Sequence, residues 1–371
     1  MTASFPAPRV GVRDEALVRP DWSTQIARPE GTLWLDRNEN IDPVLAEVTK
    51  SVLRDLDATA LYTYPDLGGL YAKLARTLDT GEAEQYVLAA GSDGAIRATF
   101  EAFVSPGDVV IHTAPTFAMY SVYSRMYAAD ARPASYEASP AGPFLDVDRL
   151  IHKIETASPR LVCLPNPDSP TGTVLDATTL KRVVDAAGTA GAVMLIDEAY
   201  FPFHPETAAP WVTAHPHLIV TRSFGKAWGM AGCRVGLAIA HPDMARILHK
   251  VRPMYEIGAL SANVLERMLD HTDAVAASVA RILEGKSWFI GELRAMGYEV
   301  LPGHGNFMHV AFGEDGPAIH SALADRVLYR QDFPNSVLAG YSRFSTAPKE
   351  IMEQVAGPIR AAVEQREHKQ Q

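Results

Sequence analysis

Cysteine is almost absent. Cys163 and Cys233 are the only two in 371 residues, which excludes a disulfide framework, and neither stands at a metal-type spacing from the histidines. An excess of positive charge is missing too. The 34 basic side chains against 44 acidic ones give a net charge of -10. That argues against nucleic acid or an anionic membrane as a partner, while leaving room for a local basic site that takes a small anion. No apolar run reaches the ~18 residues of a membrane span, and the N-terminus lacks the apolar core of a signal peptide. No internal repeat or low-complexity segment breaks the chain. What is present is an ordinary globular composition, 47% hydrophobic, long enough for two domains and expected in a reducing cytoplasm.

Residues 1–40 are rich in proline and charge and read as an N-terminal arm. Asp42-Pro43 opens a helix, with Asp as N-cap and Pro at the first helical position. From Tyr86 onward short apolar runs alternate with helical segments: Tyr86 to Ala89, Val109 to His112, Arg160 to Leu164, Ala192 to Ile196, Leu218 to Thr221 and Val235 to Ala240. This is the pattern of an α/β protein whose mostly parallel sheet is flanked by helices, and we assign it to a large domain over residues 41–252. After Pro242 the pattern turns helical, with one long element from Ala259 to Met296. It leads into a smaller α+β C-terminal domain over 253–371, with strands near 298–301, 306–311 and 341–345.

Ligands in such sheets bind beyond the carboxyl ends of the strands, and the candidate chemistry falls there. Gly91-Ser92-Asp93-Gly94 stands between a strand and a helix, whose first free N–H groups favour an anion. Asn166-Pro167-Asp168-Ser169-Pro170-Thr171-Gly172 is a stiff loop after another strand. Asp197 ends a buried run, where a carboxylate needs a cation or hydrogen-bond donors. In Arg222 to Gly236, Lys226 sits beside Phe224, Trp228 and Met230, a setting suited to a lysine used as a nucleophile toward a carbonyl. Each feature taken alone also fits a cap, a turn or a surface lysine.

Their order and spacing resemble the motif series of fold-type I pyridoxal-phosphate enzymes, within them the class I/II aminotransferases, and most closely the histidinol-phosphate aminotransferase branch. The resemblance runs from about residue 33 to 365 and includes Leu35 to Asn40, Tyr64-Pro65, Pro115 to Tyr120 and Arg343-Phe344-Ser345. It implies pyridoxal 5'-phosphate as cofactor and Lys226 as the Schiff-base lysine that also moves the substrate proton. It further implies Asp197 on the pyridine nitrogen, Tyr200 on the phenolic oxygen and Phe117 on the ring face. Ser92, Asp93, Ser223 and Arg234 would hold the phosphate, with Tyr64 reaching it from a second subunit of a homodimer. Asn38 and Arg343 would bind substrate, Arg343 as a fork on its carboxylate. The implied partners are a small-molecule amino donor and a 2-oxo acid acceptor, exchanged by a ping-pong route.

Three positions depart from the family pattern. Ser169 replaces the asparagine that bonds the phenolic oxygen, Gly94 replaces an acidic residue, and Gly225 replaces a phosphate-binding serine. They leave the donor open among histidinol phosphate, an aromatic amino acid and a specialised intermediate. The same cofactor could also serve a decarboxylase or a β-eliminating lyase. A non-catalytic ligand sensor would need a DNA-binding module for which this chain has no room.

Overall fold

Strands buried on both faces need apolar side chains throughout, and the apolar runs form such strands. The computed structural model describes residues 7–17, 28–301 and 303–370. In chain order its strands are β1 (Leu33–Trp34), β2 (Tyr86–Ala89), β3 (Val109–Ala114), β4 (Asp130–Ala131), β5 (Ala134–Ser135), β6 (Leu161–Pro165), β7 (Val193–Asp197), β8 (Leu218–Ser223), β9 (Gly236–Ala240), β10 (Glu299–Leu301), β11 (Phe307–Ala311), β12 (Val327–Leu328) and β13 (Tyr341–Ser345). The α-helices are α1 (Pro43–Arg54), α2 (Thr59–Tyr62), α3 (Gly68–Leu78), α4 (Gly91–Phe103), α5 (Met119–Met126), α6 (Val147–Ala157), α7 (Ala177–Thr189), α8 (Pro242–Val251), α9 (Ala259–Met268), α10 (Thr272–Ala295), α11 (Gly316–Leu323) and α12 (Lys349–Gln370).

The large sheet has the order β2-β9-β8-β7-β6-β3-β4, with β5 also paired to β3. It is parallel except at β9, which runs antiparallel to both β2 and β8. Register places Pro165, Asp197 and Thr221 side by side at the carboxyl ends of β6, β7 and β8. α1 starts at the cap read from sequence, and Asp42, Asp146 and Asp176 each accept a backbone N–H at the start of α1, α6 and α7.

A second sheet, β10-β11-β13, is antiparallel. Its Met308, Val310 and Phe344 pack with Phe289 and Leu293 of α10 and with Met352, Val355 and Ile359 of α12. Phe307, His309 and Arg343 alternate onto the other face, with His309 directly opposite Arg343.

Two sequence expectations differ from the fold. The single helical element expected over Ala259 to Met296 is two helices, separated by a 3-10 turn at Leu269–His271. The polar run Asp270-His271-Thr272-Asp273 explains the break, since short polar and β-branched residues support helix interiors poorly. The end of the expected surface arm is also built into the small-sheet unit. β1 pairs in parallel with β12, Leu35 is fully buried in the small cluster, and the Ser345 N–H donates to the Leu35 carbonyl at 2.8 Å. Residues 1–6 and 18–27 of that expected arm lie outside the described residues.

Candidate active site

A cavity of about 210 Å³ opens beyond the carboxyl ends of β6, β7 and β8. Its wall gathers residues that are far apart in sequence: Ser92 and Asp93 from the start of α4, Phe117, Ser169, Asp197 with Tyr200, Ser223 with Lys226, and Arg234. Thus nine of the residues singled out in the sequence line one space. Asn38 stands next to it, its Nδ2 donating to the Tyr200 hydroxyl at 2.8 Å.

Two neighbouring carboxylates define the electrostatics. Glu198 is buried and ion-paired to Arg222 at 3.0 Å, with Thr207 donating to it as well. Asp197 is equally buried, yet among the described residues it has no cation. It accepts from the Thr221 hydroxyl at 3.0 Å, the Tyr120 hydroxyl at 3.2 Å and the Ala199 N–H at 3.1 Å. Burial pushes its carboxyl up to about 6, against those hydrogen bonds. An acid held in place by three donors but left without a counter-charge fits a cationic ligand group.

Arg234 is the complementary case. It donates a long hydrogen bond to the Ala231 carbonyl, 3.5 Å, and makes no ion pair among the described residues. The guanidinium lies against the start of α4, where a Cβ on Gly91 would come within 2.6 Å of Nη2. Gly91, at φ +80°, therefore lets a cation approach the positive end of a helix, and the pair favours an anion there. Gly236 permits a second close approach, since a Cβ on it would lie 2.2 Å from the Ser92 backbone nitrogen.

Lys226 is half-buried in the cavity wall. Its Nζ donates to the Arg37 carbonyl at 2.7 Å and lies 5.8 Å from the centre of the Tyr200 ring. Phe224, Trp228 and Met230, which suggested an apolar setting for it, belong to the large hydrophobic core. Phe117 meets Tyr120 edge to face at 5.9 Å.

Two sequence candidates lie elsewhere. Tyr64 is 77% exposed and stacks on Tyr255 at 4.3 Å. Arg343 is on the small sheet, where Nη2 donates to the Asp36 carbonyl at 2.8 Å and Nε is buried without a partner. Burial lowers its guanidinium from the ordinary value.

Residues that sequence reasoning did not select support this wall. Asp168, fully buried, accepts from the hydroxyls of Thr113 (2.8 Å), Thr116 (3.0 Å) and Tyr136 (2.7 Å), and burial pushes it up to about 7. It ties the loop carrying Phe117 to the loop carrying Ser169. The available signal is the carboxylate itself: in a loop that follows a buried strand it needs hydrogen-bond donors once it is buried.

The departures have local reasons. A Cβ on Gly94 would lie 2.9 Å from Glu256 Oε1, so a carboxylate from another segment already fills the space of an acidic side chain there. A Cβ on Gly225 would lie 3.2 Å from Ser223 Oγ and 3.3 Å from the Ala231 backbone, leaving little room for a serine.

Among the described residues no group of His, Cys, Asp and Glu could hold a metal ion, and no helix is long and apolar enough to cross a membrane. Comparison with known proteins places this geometry. A histidinol-phosphate aminotransferase of Thermoanaerobacter sp. (strain X514) is 33% identical over 302 residues, 81% of this chain and 84% of that protein. In fold, the chain is similar to a putative histidinol-phosphate aminotransferase from Erwinia carotovora atroseptica (TM-score 0.78, 21% identity, 90% of this chain and 98% of the other). It is also similar to the histidinol-phosphate aminotransferase from Sinorhizobium meliloti, solved in complex with pyridoxal-5'-phosphate (TM-score 0.78, 19% identity, 98% and 100%). The family described as aminotransferase class I and II matches residues 30–357, and the chain belongs to that family.

Proposed function

We propose that this transaminase moves an amino group from histidinol phosphate or an amino acid to a 2-oxo acid, using pyridoxal 5'-phosphate bound in the cavity beyond β6, β7 and β8. The observation that carries this reading is the pair of unmatched charges lining one cavity, the Asp197 carboxylate and the Arg234 guanidinium. They fit a ring nitrogen that carries a proton and a phosphate. When bound, the cofactor supplies the electron sink that lets a substrate Cα–H bond break.

The protein's own residues do the rest. Asp197 would face the ring nitrogen and favour its protonated form. Its three donors fix its orientation, and its raised carboxyl becomes fully ionised once a cation faces it. Tyr200 and Ser169 donate toward the phenolic oxygen, and Phe117 covers the ring face. Ser92, Asp93, Ser223 and Arg234 take the phosphate. Lys226 would hold the cofactor through its amine and would carry the proton taken from the substrate Cα. Arg343 takes the substrate carboxylate or phosphate and Asn38 orients Tyr200. Transamination is favoured over decarboxylation or β-elimination by family membership.

We also propose a homodimer in the cytoplasm. Leu61, Tyr62, Tyr64 and Met254 are each at least 74% exposed, an apolar patch that a second copy would cover. Through it Tyr64 would reach the partner's phosphate site. The low cysteine count supports a reducing compartment.

The test is a spectral titration of the cofactor-loaded enzyme with amino donors, histidinol phosphate first. Stoichiometric conversion to the pyridoxamine form, reversed by a 2-oxo acid, is expected; if no donor drives either half-reaction, the reading fails. Lys226→Ala should lose the borohydride-reducible link and slow turnover by roughly 10³-fold or more.

A further inference from the structure

Lys286 is a buried lysine that none of the roles above uses. It lies on α10 and is 6% exposed. Its Nζ donates to the Gly303 carbonyl at 2.6 Å and to the Gly305 carbonyl at 2.9 Å. Among the described residues it pairs with no carboxylate. One side chain therefore grips two carbonyls of the turn at 303–306 that leads into β11.

That turn touches the proposed cofactor site at three points. The His304 N–H donates to the Gly172 carbonyl at 2.8 Å, which anchors it to the loop carrying Ser169. Gly305 lies against Tyr200, since a Cβ on it would come within 3.0 Å of the ring. Phe307, where β11 begins, meets the same ring edge to face at 5.2 Å. Gly305 stands at φ +89°, a conformation and a closeness that together call for glycine. A backbone with few apolar contacts of its own, pressed on a tyrosine, holds its position only if its carbonyls are tied.

We propose that Lys286 is a positioning residue for the transamination: by clamping the Gly303 and Gly305 carbonyls to α10, it holds the turn that backs Tyr200 and the Gly172 loop. The proposal rests on the reading that Tyr200 faces the cofactor. Lysine suits the task because its amine, charged or neutral, carries at least two N–H groups for the two carbonyls. The groups around it are basic. His304 and His309 feel its charge, Arg294 shares the neighbouring cavity of about 560 Å³, and His204 meets His304 edge to face at 5.0 Å. Glu206, acting on His304, brings a negative charge nearby but forms no ion pair with Lys286 among the described residues. The clamp therefore works through hydrogen bonds to backbone and not through an ion pair.

Lys286→Met keeps the shape and removes the donors. In the cofactor-loaded enzyme the pH transition of the visible band should shift by roughly half a unit or more, because the tyrosine facing the chromophore moves. Turnover should fall about tenfold with little change in KM for the donor, as expected of a small misplacement. In cofactor-free protein, amide exchange at His304 should speed up by roughly tenfold or more while the amides of β7 and β8 stay protected. Ser287→Ala, beside it on α10, should change none of these. Gly305→Ala displaces Tyr200 from the same turn while leaving the Lys286 donors in place, and it should shift the band in the same way. Wild-type exchange at His304 together with an unchanged band in Lys286→Met overturns the proposal. Should that variant not fold, an unchanged band and turnover in Gly305→Ala overturn it instead. If the wild-type enzyme drives no half-reaction, the functional reading falls, while the exchange experiment still decides the clamp.

Discussion

Two neighbouring places in this protein handle charge in opposite ways. In the cavity beyond the large sheet, buried Asp197 has donors but, among the described residues, no cation, and the exposed Arg234 at its rim pairs with no anion among them. At the junction of α10 with the small sheet, Lys286 meets two carbonyl oxygens. Both places reach Tyr200, one from Lys226 and the other from the Gly305 turn. A buried charge costs folding free energy unless it is satisfied, so the cavity is an arrangement whose stability is completed by a ligand. The junction is complete without one. The unmatched groups mark where something binds; the matched lysine marks what holds the binding wall still.

Asp197→Asn should give the largest contrast. Burial raises the folded carboxyl from 3.8 to about 6, so between those values the folded chain binds more protons than the unfolded one and stability falls as pH rises. Above about 6 the ionised acid is a standing cost. The asparagine variant should therefore stabilise the cofactor-free protein at pH 8 by roughly 1–2 kcal/mol, read by chemical denaturation. The same change should slow the loaded enzyme by about 10²- to 10³-fold. A cofactor-free variant less stable than wild type at pH 8 would break the comparison, because Asp197 would then be matched within the protein.

Arg343→Lys carries the comparison to the small sheet with a smaller expected effect. Arg343 spends one N–H group on the Asp36 carbonyl and leaves Nε buried without a partner, so part of its fork is free. A lysine keeps the charge and loses the two-point geometry. KM for the amino donor should rise by roughly 10- to 100-fold with kcat changed far less. An unaltered KM would move the substrate anion away from this residue.

The two places also differ in how readable they were. The cavity residues sit at strand ends, helix starts and glycine-proline loops, where sequence pattern and backbone geometry are tightly coupled, so nine of them could be named before the fold was known. The sheet was legible for the same reason: strands buried on both faces read as unbroken apolar runs. The clamp left no such trace. Lys286 occupies an ordinary helical position, and its partners are backbone carbonyls, whose identity no side chain encodes. Asp168 lay in a motif already singled out, but its donors Thr113, Thr116 and Tyr136 come from distant strands and loops. The insertion of Leu33 to Leu35 beside β12 escaped notice because a two-residue strand is too short to show a period. Gly94 could be read as a loss, but only the fold reveals Glu256 arriving from another segment to fill its place.

A stability measurement tests whether the lysine clamp is as complete as its geometry implies. Burial lowers Lys286 from 10.5 to about 8. Between those values the unfolded chain holds a proton that the folded chain has released, so the contribution of this group to stability rises with pH across that window. The physical reason is the hydrogen-bond count: an ammonium offers three N–H groups to two carbonyls, whereas the neutral amine offers two, and deprotonation relieves the desolvation cost while the clamp persists. Denaturation of the enzyme at pH 7.5 and again at pH 10 should show wild type gaining on Lys286→Met by on the order of 1–3 kcal/mol. A stability difference that stays flat over this range would mean that the charge is matched by something other than the two carbonyls, and that the contrast between the cavity and the junction is weaker than their contacts suggest.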